Sequence, residues 1–241
     1  MVSELTPERV TRDTLWGGAL VFWQPARGAG YRFNLDPVLL SGFVPPAKHI
    51  LDLGAGCGIV AGLLLAQDKA ERVTCVEIQP SLAALALRNA EENGVEERTD
   101  VLTGDLRELD IPKADTVVFN PPYFRVGEGR TSPEPGRDIA RRERHGTLRD
   151  FVRHGFDALD GTGSLYCIVR SDRGPELDRI AAACGGTVVR TRPVAPRAGA
   201  EARHVLVEAK NERGLPRQDE APLVVHEGEG YSPEVRALLR A

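Results

Sequence analysis

The chain has 241 residues, 41% hydrophobic and 27% charged, with a formal net charge of −4. That length carries one α/β domain with a full core, or one domain plus a small appendage, and no apolar run approaches the ~20 residues that span a bilayer. An acidic balance excludes a protein that coats nucleic acid indiscriminately, and the polar, mixed-charge start Met1–Arg9 is no signal peptide, so the cytoplasm is the expected compartment.

In chain order, Leu15-Trp16-Gly17-Gly18 through Gln24-Pro25 predicts two short strands around a Gly-Gly turn. Asp36-Pro37-Val38-Leu39-Leu40 reads as a helix start, with Asp36 as cap and Pro37 in the first helical position. An alternating pattern follows. Strands are predicted at 49–53, 72–77, 100–103 and 114–119, with helices at 59–67 and 81–93, the latter ended by Gly94. A Pro/Gly/Arg-rich connection over 124–138 exceeds ordinary loop length and is expected to be functional or mobile. A helix at 147–159, a strand at 164–169, a helix at 175–184 and closing strands near 187–192 and 203–208 complete the chain. Strand and helix alternating in this way predict a parallel sheet wound on both faces, whose ligands sit at the carboxyl ends of the strands.

The four cysteines (Cys57, Cys75, Cys167, Cys184) form no CxxC pair and read as reduced core thiols. The five histidines lack metal-ligand spacing, so no metal is expected. From Arg125 to His154 the chain carries eight arginines against five acids, a local basic segment on an acidic body; most such charges are simply solvated, but a subset can take phosphate.

Leu51-Asp52-Leu53-Gly54-Ala55-Gly56-Cys57-Gly58 places three alternate glycines after a strand, where the backbone can turn tightly and approach a ligand. The spacing is GxGxG, not the GxGxxG of a dinucleotide fingerprint, and no Gly-Lys-Ser/Thr follows for a P-loop. Glu77 ends the second strand, placed to accept from the two hydroxyls of a ribose. Asp105, beyond the third strand, is placed to accept from an adenine amino group. Glu77 as a surface acid and Asp105 as a helix cap are the bland alternatives. Three acids at successive strand ends together predict a pocket for an adenosine.

At the end of the fourth strand stands Asn120-Pro121-Pro122-Tyr123. Here the chain resembles the class I S-adenosylmethionine-dependent methyltransferases, in the subset with an Asn-Pro-Pro-Tyr loop that acts on adenine N6, cytosine N4 or protein glutamine. The chemistry suits a planar amino group, whose delocalised lone pair is a weak nucleophile. The Asn120 side-chain carbonyl and the Pro121 main-chain carbonyl can accept its two hydrogens and stabilise charge developing on nitrogen. Tyr123 offers a ring for stacking.

A closer resemblance covers nearly the whole chain. Leu15-Trp16-Gly17-Gly18, Gln24-Pro25, Gly30-Tyr31-Arg32-Phe33, Asp36-Pro37-Val38-Leu39-Leu40, Pro222–Glu227 and Tyr231-Ser232-Pro233-Glu234-Val235 are similar to the bacterial tRNA1(Val) adenine-37 N6-methyltransferase family. The resemblance implies a Rossmann-like α/β fold with a mostly parallel seven-stranded sheet. Residues 1–46 would form a hairpin-and-helix extension over the cofactor site, and residues 47–241 the methyltransferase domain. It implies S-adenosylmethionine held by Asp36, Asp52, Gly54, Ala55, Gly56, Gly58, Glu77, Ile78, Asp105, Leu106 and Asn120, with Asp36 near its amino acid moiety. Asn120, Pro121 and Tyr123 would be catalytic. Tyr123, Arg141 and Arg142 would contact RNA, expected to be a tRNA, and the protein would act as a monomer or weak dimer without metal or membrane. Arg190, Arg192, Arg197 and Arg203 could extend a basic face; if they pair with acids instead, the RNA reading weakens. The alternatives are a protein-glutamine methyltransferase, an rRNA or DNA base methyltransferase, a non-catalytic RNA-binding protein that kept the fold, and an NAD-dependent oxidoreductase, disfavoured by its glycine spacing.

Overall fold

The computed structural model describes residues 10–28, 32, 34–121 and 146–240. The predicted 124–138 connection lies outside them. Strands β1 (Val10–Leu15) and β2 (Leu20–Pro25) form an antiparallel hairpin, Val10 opposite Pro25 and Leu15 opposite Leu20. It closes through a single 3-10 turn at Trp16–Gly18. Helix α1 (Asp36–Phe43) follows, then β3 (Ala47–Leu53), α2 (Ile59–Ala66), β4 (Ala70–Glu77), α3 (Pro80–Glu92), β5 (Thr99–Thr103) and β6 (Ala114–Phe119). After the undescribed segment come α4 (Leu148–Ala158), β7 (Leu159–Arg170), α5 (Gly174–Ala183), β8 (Thr187–Ala195) and β9 (His204–Lys210). The chain ends with the two-residue strands β10 (Gln218–Asp219), β11 (Leu223–Val224), β12 (His226–Glu227) and β13 (Gly230–Tyr231), then α6 (Pro233–Leu239).

The seven principal strands lie in the order β8-β9-β7-β6-β3-β4-β5. All run parallel except β9, which is antiparallel to both neighbours. Two short strands, β10 and β11, extend the sheet beside β8, making nine strands where seven were expected. From β3 the chain winds outward through β4 to β5, then returns to β6 on the other side of β3. That reversal opens a crevice at the carboxyl ends of β3 and β6.

Alternation along the strands feeds two cores. Leu51, Leu53, Val117, Phe119 and Cys167 face α4 and α5, packing on Phe151, Phe156 and Leu177. Ile50, Cys75, Val118, Tyr166 and Ile168 face the other way, onto Leu39 and Leu40 of α1, Val60 and Leu64 of α2, and Val235 of α6. Helix α2, Ile-Val-Ala-Gly-Leu-Leu-Leu-Ala, is apolar almost all round because it is covered twice, by the sheet and by the hairpin. Phe22 seats its ring where a Cβ on Gly62 would stand, 2.8 Å away.

The hairpin is tied to α3 by two amides one helical turn apart. Asn89 accepts from the Trp23 N–H at 2.6 Å and donates to the Trp23 carbonyl at 2.9 Å. Asn93 does the same for Val21, at 2.9 and 2.7 Å. Side chains thereby supply the ladder that a neighbouring strand would otherwise give the β2 edge.

Asp36 does not cap α1. Leu35 is the capping residue, in αR geometry and without a side-chain bond, and Asp36 occupies the first turn. Its carboxylate is drawn to Asn34 (Nδ2 to Oδ2, 2.6 Å), while its N–H donates back to Asn34 Oδ1 at 3.0 Å. Asn34 thus satisfies the Asp36 N–H from outside the helix.

Candidate active site

Parallel register brings the predicted acids to one edge. Leu53 pairs with Val76 and with Phe119, and Glu77 with Thr103, so Gly54, Glu77 and Asn120 leave adjacent strands at the same level. Asp105 stands two residues beyond Thr103. Three strand spacings of about 4.8 Å make a rim about 14 Å long from β5 to β6, which suits an extended nucleoside with a tail.

The glycine turn forms the floor. Gly54 and Ala55 donate to the Val76 carbonyl at 2.8 and 3.1 Å, and the Gly56 N–H donates to Glu77 Oε2 at 2.8 Å. Gly54, Gly56 and Gly58 have φ of 70°, 60° and 76°. A Cβ on Gly54 would touch the Phe151 ring at 3.1 Å, and one on Gly58 would touch Ala86 at 3.1 Å, but one on Gly56 would meet nothing within 4 Å. Two of these glycines serve packing. The third faces open space above the rim.

Beneath the turn lie Asp52, 1% exposed, and Glu77, 4% exposed. Burial, reinforced by the nearby Glu77 charge, raises the Asp52 carboxyl to about 7, against a pull downward from the Ala61 backbone N–H in the first turn of α2. Asp52 Oδ2 is buried and has no hydrogen-bond partner among the described residues. Burial also raises Glu77, opposed by the backbone N–H groups of Gln79, Gly56 and Ile78. Two desolvated carboxylates, one with an unused oxygen, call for a ligand that brings hydrogen-bond donors and positive charge. A pyrophosphate would set negative charge against them. These acceptors therefore fit a ribose diol and the ammonium and sulfonium groups of S-adenosylmethionine, and disfavour a dinucleotide.

The remaining predicted residues are placed as follows. Asp105 reaches the rim, but its carboxylate is engaged by Arg107, whose Nε donates to Oδ1 at 2.9 Å and whose Nη2 donates to Oδ2. Leu106 is buried at 5% exposure and packs toward Gly146 and Phe151, as part of the core beneath the rim. Ile78 is half-buried at the edge, Asn120 is half-buried beyond β6, and Pro121 is buried. Asp36, 4% exposed, stands at the start of α1 with its Oδ1 4.0 Å from His204 Nδ1. Tyr123, Arg141 and Arg142 lie outside the described residues.

The suggested basic extension on β8 is corrected by the structure. Arg190 Nε meets Glu208 at 2.8 Å and Nη1 meets Glu220 at 3.2 Å, with the guanidinium 3.8 Å over the Phe43 ring. Arg192 binds both carboxylate oxygens of Glu234. These cations are consumed inside the fold and offer little charge to a polyanion. Three contributors were missed from the sequence: Phe151 under Gly54, Arg107 on Asp105, and Asn89, which ties the Cys57 carbonyl of the turn to the hairpin at 2.8 Å. The cysteines stand as expected: Cys57, Cys75 and Cys167 are buried free thiols, and burial pushes Cys57 up to about 12.

A sheet of this order, with its crevice between β3 and β6 and an acid-lined glycine turn, defines a class I S-adenosylmethionine-dependent methyltransferase. The chain belongs to the methyltransferase small domain family, whose model matches residues 36–178. It is 30% identical over 212 residues to a tRNA1(Val) (adenine(37)-N6)-methyltransferase of Tolumonas auensis, covering 86% of this chain and 87% of the relative. To the protein of the same name from Aeromonas hydrophila it is 29% identical, covering 83% and 84%. Among solved structures, one described as a predicted O-methyltransferase from Agrobacterium tumefaciens superposes with a TM-score of 0.66 at 28% identity, covering 86% of this chain and 97% of that one. TYW2 of M. jannaschii, solved in complex with AdoMet, shares the fold at a TM-score of 0.57 and 17% identity, covering 84% and 85%. Among the described residues, no helix is long and apolar enough to cross a membrane, and no cluster of potential metal ligands occurs.

Proposed function

We propose that the protein methylates the exocyclic N6 of an adenine in RNA, and that the RNA is a tRNA. The observation that carries this is Asn120-Pro121 leaving β6 level with Gly54 and Glu77, in a chain whose relatives over most of its length are named as tRNA adenine-N6 methyltransferases. S-adenosylmethionine supplies an electrophilic methyl when bound. Asp52 and Glu77 would hold its ammonium and ribose, and the N-terminal extension, through Asp36, would close the amino acid end. Asn120 Oδ1 and the Pro121 carbonyl would accept the two amino hydrogens, fix the lone pair toward the methyl, and stabilise positive charge as it develops on nitrogen. Tyr123 would stack the base, and Arg141 and Arg142 would take phosphate.

The test is transfer of radiolabel from the cofactor into a cell extract lacking the protein. The label is expected in an RNase-sensitive fraction and in N6-methyladenosine of tRNA by nucleoside mass spectrometry. Label confined to a protease-sensitive fraction would overturn the reading in favour of a protein-glutamine substrate.

A further inference from the structure

The C-terminal sequence Tyr231-Ser232-Pro233-Glu234 is accounted for by the fold, with one exception. Ser232 caps α6, its Oγ accepting from the Val235 N–H at 3.3 Å. Pro233 opens that helix, where a missing N–H costs nothing. Glu234 binds Arg192. Tyr231 has no such task. Its ring is 38% exposed, one of two large hydrophobic side chains so exposed among the described residues, and it lies flat on His226 with centroids 5.0 Å and planes 18° apart.

The small β12–β13 hairpin that carries this stack is held firmly. His226 N–H donates to the Pro196 carbonyl at 3.0 Å, Arg197 Nη1 to the Gly228 carbonyl at 2.6 Å, and Arg236 Nη1 to the Tyr231 carbonyl at 2.6 Å. Arg197 and Arg203 are exposed and form no ion pair among the described residues. Arg190 and Arg192, lower on β8, are neutralised by carboxylates. Arg197 and the exposed Arg236 stand at the stack through the Gly228 and Tyr231 carbonyls, while Arg203 directly precedes β9, on the β7 side of β8.

Location gives the stack its meaning. β8 and β11 run parallel to β6, so their ends reach the same edge as Asn120. The tips of β5, β4 and β3 form the half of the rim that would hold the cofactor. The tips of β7, β9, β8 and β11 form the other half. Four spacings of about 4.8 Å put β11 about 19 Å from β6, and a stacked strand rises about 3.4 Å per nucleotide, so roughly five or six nucleotides bridge the distance, fewer if they are splayed.

We propose that Tyr231, backed by His226 and flanked by Arg197, is a second docking site for the RNA, taking an unpaired base a few nucleotides from the one presented to Asn120, with Arg203 at the start of β9 lying along the rim between the two. This rests on the RNA reading above. An exposed, preorganised aromatic face accepts any base by stacking. Glu227 and Glu229 in the hairpin turn keep the patch from acting as a general polyanion surface, so stacking leads and Arg203 adds one phosphate contact.

The experiment measures steady-state methylation of unmodified tRNA transcript by wild type, Tyr231→Ala, Tyr231→Phe and Arg203→Ala, with cofactor affinity by calorimetry as a control. Tyr231→Ala is expected to raise KM for tRNA about tenfold with kcat and cofactor affinity unchanged, and Tyr231→Phe to restore KM. Arg203→Ala is expected to lower the salt slope of RNA affinity by about 0.7. If wild type methylates tRNA and Tyr231→Ala keeps KM within twofold, the docking site is refuted while the enzyme reading stands. A fall in kcat or cofactor affinity with KM unchanged would equally overturn it. A wild type that neither binds nor methylates RNA removes the reading beneath it as well.

Discussion

Asp52 offers a test in which function and stability pull in opposite directions. Its carboxyl moves from an ordinary 3.8 to about 7 in the fold, which at about 1.36 kcal/mol per pH unit is about 4 kcal/mol against the charged form. Between those two values the folded chain binds more protons than the unfolded chain. Stability of the ligand-free protein therefore falls as pH rises across that window and levels off above about pH 7. Asp52→Asn removes the charge while keeping the shape. Urea unfolding without cofactor is expected to show the variant more stable by up to about 4 kcal/mol at pH 8, with the difference shrinking toward pH 4. Some slope should survive in the variant, because Glu77 is raised for the same reason. Cofactor affinity by calorimetry should fall in the same variant, since the Asp52 charge, set beneath the glycine turn, would attract the cationic groups of the ligand. A variant no more stable than wild type at pH 8, or a gain of the same size at both pH values, would refute the account of a desolvated charge held for a ligand.

Other residues give narrower tests. Asn120→Ala should lower kcat at least ~100-fold while calorimetric cofactor binding survives, as for removal of a transition-state acceptor; retained activity would remove Asn120 from the chemistry. Glu77→Gln should weaken cofactor affinity and also lower the thermal midpoint, because one amide oxygen cannot replace both carboxylate oxygens, which accept from the Gly56 and Gln79 N–H groups; unchanged affinity would argue against the ribose contact. Asn89→Ala leaves the Trp23 N–H and carbonyl and the Cys57 carbonyl unpaired, and should cost about 2–3 kcal/mol. Its amide-exchange signature should be loss of protection at Trp23, while Val21 keeps its Asn93 partner; protection at Trp23 equal to wild type would show that the Asn89 amide does not hold the hairpin edge.

Much of the fold was legible because its signals are local. The run Ile50–Leu53 into alternate glycines marks β3 and its turn, and Ala114–Phe119 marks β6 to the residue, since a buried parallel strand is written as a continuous β-branched and apolar run. Thr147 and Asp150 even spell the capping box that starts α4. The short strands β10 to β13 were missed because two residues carry no period. Strand β7 begins five residues earlier than predicted, at Leu159, because Gly161 and Gly163 read as loop; they fall in an irregularity between the Ala114–Leu159 and Thr116–Ser164 pairs, where Gly161 takes a φ of 52°.

What stayed hidden concerns partners far apart in sequence. Whether Arg190 is a phosphate contact or an internal counter-ion depends on Glu208, Glu220 and Phe43, 18, 30 and 147 residues away. Composition counts such an arginine as surface charge, and only the pairing of β8 with β9 and β10 decides that it is not. The same holds at the site itself. An acid at a strand end is visible in one dimension, but the sheet makes Asp52 an unpaired buried charge, leaves Glu77 sharing the backbone of the glycine turn, and gives Asp105 to Arg107. Three carboxylates that look equivalent in the sequence thus differ in what they can offer a ligand. Asp52 is the one whose burial only a bound cation or donor would offset, so the strongest dependence of cofactor affinity on charge should fall there, ahead of Glu77 and well ahead of Asp105.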